Sequence, residues 1–386
     1  MKFSPHFGLV MALALGVILM SAPTAQCFTM FGFDFSDFFS FASKPTSTDD
    51  VIALSPGLAP ALAPAPGPGS ALRTSRRSGP FSSSSTTSTS GLVVGFYNDK
   101  CSSDVEAIIE ALVAEEFDLD PTILPALLRL QFHDCFVKGC DSSLLIDGPT
   151  SEKTADSNFS VRGYELIEKL KAAMEEACPD VVSCSDIVAI ATKVVIKLGG
   201  GLDFPVETGR RDGLVSNAAD VDLPSPSMTV AQSAAVFAAK DFDIEEMVVL
   251  LGYHAVGIAH CGFIEDRLSP GNSQFDADMD PSLRAELTQL CPVGVPNNNF
   301  TPLNQDPTNN NTLDNTFYGQ LIQERGVLSL DQLLSRDPAT AGIVAALAQN
   351  RTLFDIRSAQ VMIKLQAVEV LTGTDGEIRK VCSKFN

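Results

Sequence analysis

The segment at residues 129–138, Arg-Leu-Gln-Phe-His-Asp-Cys-Phe-Val-Lys, constrains this chain more than any other. It sets an arginine and a histidine four positions apart on an otherwise apolar stretch. At helical spacing, positions i, i+3 and i+4 share a face, so Arg129, Phe132 and His133 point the same way. A permanent cation then stands beside a titratable base. Such a pair can take a proton from a bound molecule and steady the negative charge left behind. The chain has four histidines, His6, His133, His254 and His260. The first lies in a segment expected to be removed, so histidine-based chemistry must use the other three.

Residues 1–27 read as a secretory signal: Lys2, an apolar run over 7–20, then small residues. The run is short for a membrane span, which needs roughly 20 residues. Cleavage is expected after Ala25 or after Cys27. Nine cysteines occur, and removal of Cys27 leaves eight, at 101, 135, 140, 178, 184, 261, 291 and 382. An even number in a secreted chain suggests four disulfides, although spacing does not fix their pairing. The alternatives are buried thiols or a metal site, and no paired Cys-x-x-Cys motif supports the latter. Residues 28–91 form a low-complexity arm, Pro/Ala-rich at 55–70 and almost wholly Ser and Thr at 82–90. Neither stretch can bury a core. The arm reads either as a spacer or as an O-glycosylated stalk.

From about residue 92 the composition becomes globular, and nearly 300 residues remain to build a core. Helical periodicity dominates, with helices expected at 105–116, 124–136, 161–177, 185–198, 244–252, 283–290 and 357–371. Strand-like alternation is scarce, and no later stretch reads as a membrane span. The formal charge of −20 argues against nucleic acid or anionic membranes as partners. Four N-x-[ST] sequons occur, at Asn158, Asn299, Asn310 and Asn350.

A second informative segment spans residues 246–261, Glu-Met-Val-Val-Leu-Leu-Gly-Tyr-His-Ala-Val-Gly-Ile-Ala-His-Cys. His254 ends an apolar helix among Gly252, Ala255 and Gly257, small neighbours that let a flat group approach the backbone. A histidine there can ligate a haem iron axially; the plain reading is a hydrogen-bonded core histidine. Taken with Arg129 and His133, the pattern resembles the secreted class III plant haem peroxidases over residues 92–386. Arg-Leu-Gln-Phe-His-Asp-Cys-Phe-Val-Lys-Gly-Cys-Asp-Ser-Ser at 129–143 follows the family's distal motif. Val-Ser-Cys-Ser-Asp-Ile at 182–187 and Gly-Arg-Arg-Asp-Gly at 209–213 match two further landmarks, and the eight mature cysteines fall at family positions.

The resemblance implies a mostly α, two-lobed fold with haem b between distal and proximal lobes and four disulfides, Cys101–Cys178, Cys135–Cys140, Cys184–Cys382 and Cys261–Cys291. It makes His254 the proximal haem ligand and Asp331 the carboxylate that accepts its ring N–H. His133 is then the distal acid–base group, Arg129 the charge stabiliser and Phe132 the shield of the pocket. Asn158 orients His133, which would bury its sequon. Pro224 and Phe263 mark the edge where donors meet the haem. Two calcium ions are also implied. Asp134, Val137, Gly139, Asp141 and Ser143 supply the distal site with the hard oxygen donors calcium prefers. Ala255, Asp306, Asn309, Thr312 and Asp314 form the proximal one. The implied activity is reduction of hydrogen peroxide and one-electron oxidation of small phenolic donors, by a monomer outside the cell, plausibly in a plant wall or apoplast.

Several residues depart from the family pattern. Ala255 replaces a threonine and removes a side-chain oxygen from the proximal calcium set, so a weaker site is expected. Asn309 also stands where threonine is usual. Tyr253 precedes His254 where a small residue is common; packing is its expected role, oxidation the alternative. Phe204 replaces the usual tryptophan, and Gly262 replaces a larger polar residue beside Phe263. His260 reads as structural. The competing readings are a non-catalytic wall glycoprotein on a peroxidase-like scaffold, and a non-haem metal hydrolase. The first has no need of Arg129, His133 and His254 together; the second lacks a His-Glu-x-x-His or comparable ligand spacing.

Overall fold

The computed structural model describes residues 91–269, 279–295, 298–306 and 311–386. The expected signal peptide, nearly all of the arm, the Asn310 sequon and the implied calcium ligand Asn309 lie outside these residues. Helices dominate, and half of the described α-helices begin where a polar side chain satisfies an otherwise orphaned backbone N–H. Asp104 caps α1 (Val105–Leu119) and Ser183 caps α4 (Cys184–Leu198). Between them run α2 (Ile123–Lys138) and α3 (Tyr164–Ala177). Reciprocal capping boxes, Thr229 with Gln232 and Asp243 with Glu246, start α5 (Val230–Ala238) and α6 (Ile244–Leu251). Then follow α7 (Glu265–Leu268), α8 (Pro281–Leu290), α9 (Thr316–Ile322), α10 (Ser329–Leu334), α11 (Ala341–Gln349) and α12 (Arg351–Leu365). Two short antiparallel pairs complete the fold. Val93–Val94 lies against Glu207–Thr208, and Ile258–His260 against Phe300–Pro302.

Helices α1 and α2 pack on α4, and α3 covers α1 and α4. On the other side α6 packs on α5, α11 and α12, while α9 packs on α11 and the turn after α6. Helix α2 is apolar almost all round and is buried along most of its length, as such a composition requires. An aromatic stack leaves α2 for the second side: Phe132 lies 4.5 Å from Phe136, which lies 4.9 Å from Phe237 of α5. Disulfides join Cys101–Cys178, Cys135–Cys140, Cys184–Cys382 and Cys261–Cys291, the pairs that the resemblance implies. Among the described residues no helix is long and apolar enough to cross a membrane.

The structure corrects some sequence expectations. The last long helix spans 351–365 rather than 357–371: Asn350 caps it early by accepting from Leu353 N. Past residue 365 the chain turns, reaches φ 46° at Glu369 and sets Leu371 in an antiparallel bridge with Arg211. The helix expected from residue 161 starts at Tyr164, because Gly163 at φ 104° cannot continue a helix. Helices α5, α9, α10 and α11 were not anticipated. Their lengths of nine, seven, six and nine residues hold too few turns for a strong period.

Gly252 is small for a different reason than the sequence suggested. A Cβ there would meet the Tyr318 hydroxyl at 2.0 Å and Phe354 at 3.2 Å. Gly257 has φ 94°, and a Cβ would meet Pro125 at 3.0 Å. Both glycines are closely approached by protein side chains. We therefore expect Gly252→Ala to lower unfolding stability by about 1–3 kcal/mol, an overpacking cost, read as a drop in denaturant midpoint. An unchanged midpoint would show that Tyr318 is not seated as described.

Candidate active site

Helix α2 places Arg129, Phe132 and His133 on one face, all partly exposed inside an otherwise buried helix. His133 Nδ1 lies 2.7 Å from Asn158 Oδ1. Asn158 is itself buried and donates from Nδ2 to the Glu152 carbonyl at 2.8 Å. That second bond turns the amide oxygen toward the ring, so Nδ1 carries the proton and Nε2 presents its lone pair. Arg129 Nε donates to Nε2 at 3.1 Å. Burial, reinforced by the Arg129 charge and only partly opposed by the Asn158 bond, holds the His133 imidazole down to about 4. His133 is therefore a neutral base beside a fixed cation. The Phe132 ring beside them is stacked on Phe136.

His254 lies just past α6, in a 3₁₀ turn over Gly252–Ala255. Its Nδ1 is 2.9 and 3.0 Å from the two carboxylate oxygens of Asp331. Asp331 is 1% exposed, whereas the His254 side chain is 31% exposed. Burial lowers the basicity of His254, but the charge and hydrogen bond of Asp331 outweigh it and hold the ring above its ordinary value. The Arg129 charge, the smallest contribution, acts in the opposite direction to Asp331. With Nδ1 engaged, Nε2 is the nitrogen left for a ligand. An imidazole so presented, its other N–H on a buried carboxylate, is the donor a haem iron takes. The residues fit that group.

The neighbours of this pair are explained by packing. Tyr253 is buried and donates to the Ser358 carbonyl at 3.1 Å; burial pushes its phenol upward. Phe204 is buried, and His260 meets Phe300 edge-on across the short sheet. Phe263 is 46% exposed, beside Gly262, around which there is open space. Pro224 is half-buried on a loop tied to α10 through the Leu330 N–H to Pro226 carbonyl bond of 2.9 Å.

The expected distal calcium residues form a buried turn. Asp134 accepts from Ser142 N and Leu144 N at 3.0 and 3.3 Å, and Asp141 from Ser143 N at 3.0 Å. Burial, then the charges of Asp141 and Glu152, push Asp134 far up; burial also raises Asp141, and takes Glu152 up to about 7. The Ser143 hydroxyl, near Asp141 and Glu152, and Glu152 Oε2 are buried without a partner in hydrogen-bond geometry. Arg379 holds the turn through the Ser142 carbonyl at 2.7 Å. Gly213 leaves room for it, since a Cβ there would meet Asp141 at 2.1 Å. Carboxylates raised by burial, Asp134 and Glu152 also by a neighbouring carboxylate, beside an orphaned hydroxyl fit a hard cation. The Val137 carbonyl accepts from Lys240 at 3.0 Å and would have to share its second lone pair. Among the described residues no three His, Cys, Asp or Glu side chains cluster at metal-binding range, so backbone and hydroxyl oxygens must complete any such site.

The proximal set is assembled differently. The Ala255 carbonyl accepts from Asn304 Nδ2 at 3.2 Å, the same nitrogen donates to Thr316 Oγ1 at 2.9 Å, and Thr316 donates to Asp314 at 2.5 Å. Ala255 and Asp314 are thus already linked through protein. Thr312 is exposed and Asp306 half-buried. Sequence reasoning missed Asn304, Lys240, Ser157 and Ser160. Only Ser160 carried a signal, as the third residue of the Asn158 sequon.

A family model described as peroxidase matches residues 105–350. The chain belongs to the plant peroxidase superfamily. It is similar to Peroxidase 57, Peroxidase 28 and Peroxidase 44 of Arabidopsis thaliana, at 45%, 47% and 46% identity. The alignments cover 76%, 75% and 76% of this chain and 93%, 92% and 93% of those relatives. If His133 is the base that takes a proton from peroxide, its protonation removes that base. The rate of peroxide consumption should therefore hold its plateau into mildly acidic solution and fall through an apparent midpoint near 4. A midpoint near the ordinary histidine value of about 6.5 would mean that His133 is not buried against Arg129.

Proposed function

We propose that this peroxidase reduces hydrogen peroxide with His133 as proton carrier and Arg129 as charge stabiliser, and oxidises small phenolic donors one electron at a time. The observation that carries the reading is the neutral Nε2 of His133 held under a guanidinium, together with a second histidine whose Nδ1 rests on a buried carboxylate. His254 would hold a haem b, and Asp331 would fix its ring and keep it electron-rich. The chemistry a bound haem supplies is redox: two oxidising equivalents taken from peroxide and released singly.

The proton work falls to the chain. Once Arg129 Nε releases its hydrogen bond to the Nε2 lone pair, His133 Nε2 takes the proton of the peroxide oxygen that stays and returns it to the oxygen that departs, which leaves as water. Arg129 offsets the negative charge that grows as the O–O bond breaks, in a setting where burial strengthens its field. Asn158 keeps the ring in the tautomer that makes the exchange possible. Phenolic donors would meet the edge marked by Pro224 and the exposed Phe263, where Gly262 leaves space. Asp134, Val137, Gly139, Asp141 and Ser143 would hold one calcium ion. The proximal set would hold a second more weakly, because Asn304 and Thr316 already link Ala255 to Asp314.

Secretion is part of the reading. Four disulfides form and persist in oxidising compartments, and the first 27 residues have the pattern of an export signal. Wall cross-linking, phenolic polymerisation and peroxide removal are the expected consequences, and a monomer is the expected state. The experiment separates the two histidines. His133→Ala should keep its haem and slow the reaction with peroxide by at least about a hundredfold, the usual yield of general acid–base catalysis. His254→Ala should lose or weaken haem binding itself. Full peroxide reactivity in His133→Ala would falsify the mechanism.

A further inference from the structure

We infer that Ser160 is a positioning residue for Arg129, and that the turn at residues 157–160 clamps both members of the distal pair. The kinetic part of the inference rests on the peroxidase reading; the geometric part does not.

Each nitrogen of the Arg129 guanidinium has its own partner. Nε donates to His133 Nε2 at 3.1 Å, Nη1 to Ser160 Oγ at 2.8 Å, and Nη2 to the Ser157 carbonyl at 2.8 Å. Two of the three come from one turn. Asn158 of the same turn holds His133 from its other nitrogen at 2.7 Å. Base and cation, four residues apart on α2, are thus fixed from a single external element. Phe159, between the two polar clamps, is 72% exposed, so Asn158 and Ser160 are the side chains that reach the pair. The Asn-Phe-Ser sequon is consumed by these contacts.

A long side chain keeps one pose only when its planar fork is pinned in more than one direction. Ser157 pins Nη2 through the backbone, which any side chain there would preserve. Among the described residues, Ser160 is therefore the one side chain outside α2 that hydrogen-bonds the guanidinium. Without its hydroxyl, Nη1 loses its partner and the fork can swing away from His133. The cation then stands off the position where charge develops on the departing oxygen, and preorganisation is lost.

The test uses the full chain loaded with haem and two variants, Ser160→Ala and Ser160→Thr, the second retaining the hydroxyl. The rate constant for the reaction with hydrogen peroxide should fall about tenfold in Ser160→Ala, the order of one hydrogen bond lost from a charged group, and return to within about twofold in Ser160→Thr. The loss should appear in the peroxide-limited rate and not in the donor-limited rate. Crystal structures of both variants should show the guanidinium displaced from His133 with alanine and in place with threonine. An alanine variant as fast as the unsubstituted protein, two variants equally slow, or a guanidinium unmoved in Ser160→Ala would each overturn the proposal. The crystallographic readout is independent of turnover. Failure of the unsubstituted protein to consume peroxide would count against the proposed function, while the guanidinium position would still decide the clamp.

Discussion

A carboxylate buried to 1% exposure, Asp331, touches His254 Nδ1 with both oxygens, and the chemistry of the cleft depends on that contact. Left in that environment without a partner, the charge would be costly to bury. Paired with the ring, it fixes the tautomer, aims Nε2 outward and raises the basicity of the imidazole above its ordinary value. The distal histidine has the opposite partner. Asn158 is neutral and accepts the Nδ1 proton without adding charge, so burial and Arg129 prevail and His133 stays unprotonated. Two histidines therefore have opposed electrostatic roles, set by a carboxylate under one and an amide under the other.

Helix α2 transmits this arrangement to the rest of the molecule. It carries Arg129, Phe132 and His133 on its partly exposed face and Asp134 on a buried one. Its C-terminal end runs into the Cys135–Cys140 loop and the carboxylate turn held by Arg379. Glu152 is tied both to the Asn158 clamp on His133 and to the carboxylate turn. Its backbone carbonyl anchors the Asn158 amide, while its side chain shares the buried carboxylate cluster. The aromatic stack from Phe132 through Phe136 to Phe237 links the same helix to α5.

Much of the site was legible because its residues sit at helical spacing or in motifs. Arg129 and His133 are one turn apart, and their common face follows from the period of the helix alone. Asp331 and Asn158 were legible only through resemblance, since each reaches its histidine across a sequence separation of 77 and 25 residues. Gly252 and Gly257 were read as room for a ligand, yet they accommodate Tyr318 and Pro125. A glycine reports that a close approach is needed, not what approaches. The Asn304 link between Ala255 and Thr316 had no local signature, because its partners come from separate segments. The shifted last helix shows the same limit: apolar residues after 365 serve a bridge to Arg211 rather than a helical face.

The central claim is that the cleft holds a haem on His254 under a working His133–Arg129 pair. The most direct measurement is the visible absorption spectrum of the purified protein, produced with ample haem, before and after one equivalent of hydrogen peroxide. The account predicts a strong Soret band that shifts within seconds of peroxide addition. The absence of a Soret band would contradict the role given to His254 and Asp331. A Soret band indifferent to peroxide would contradict the role given to Arg129 and His133.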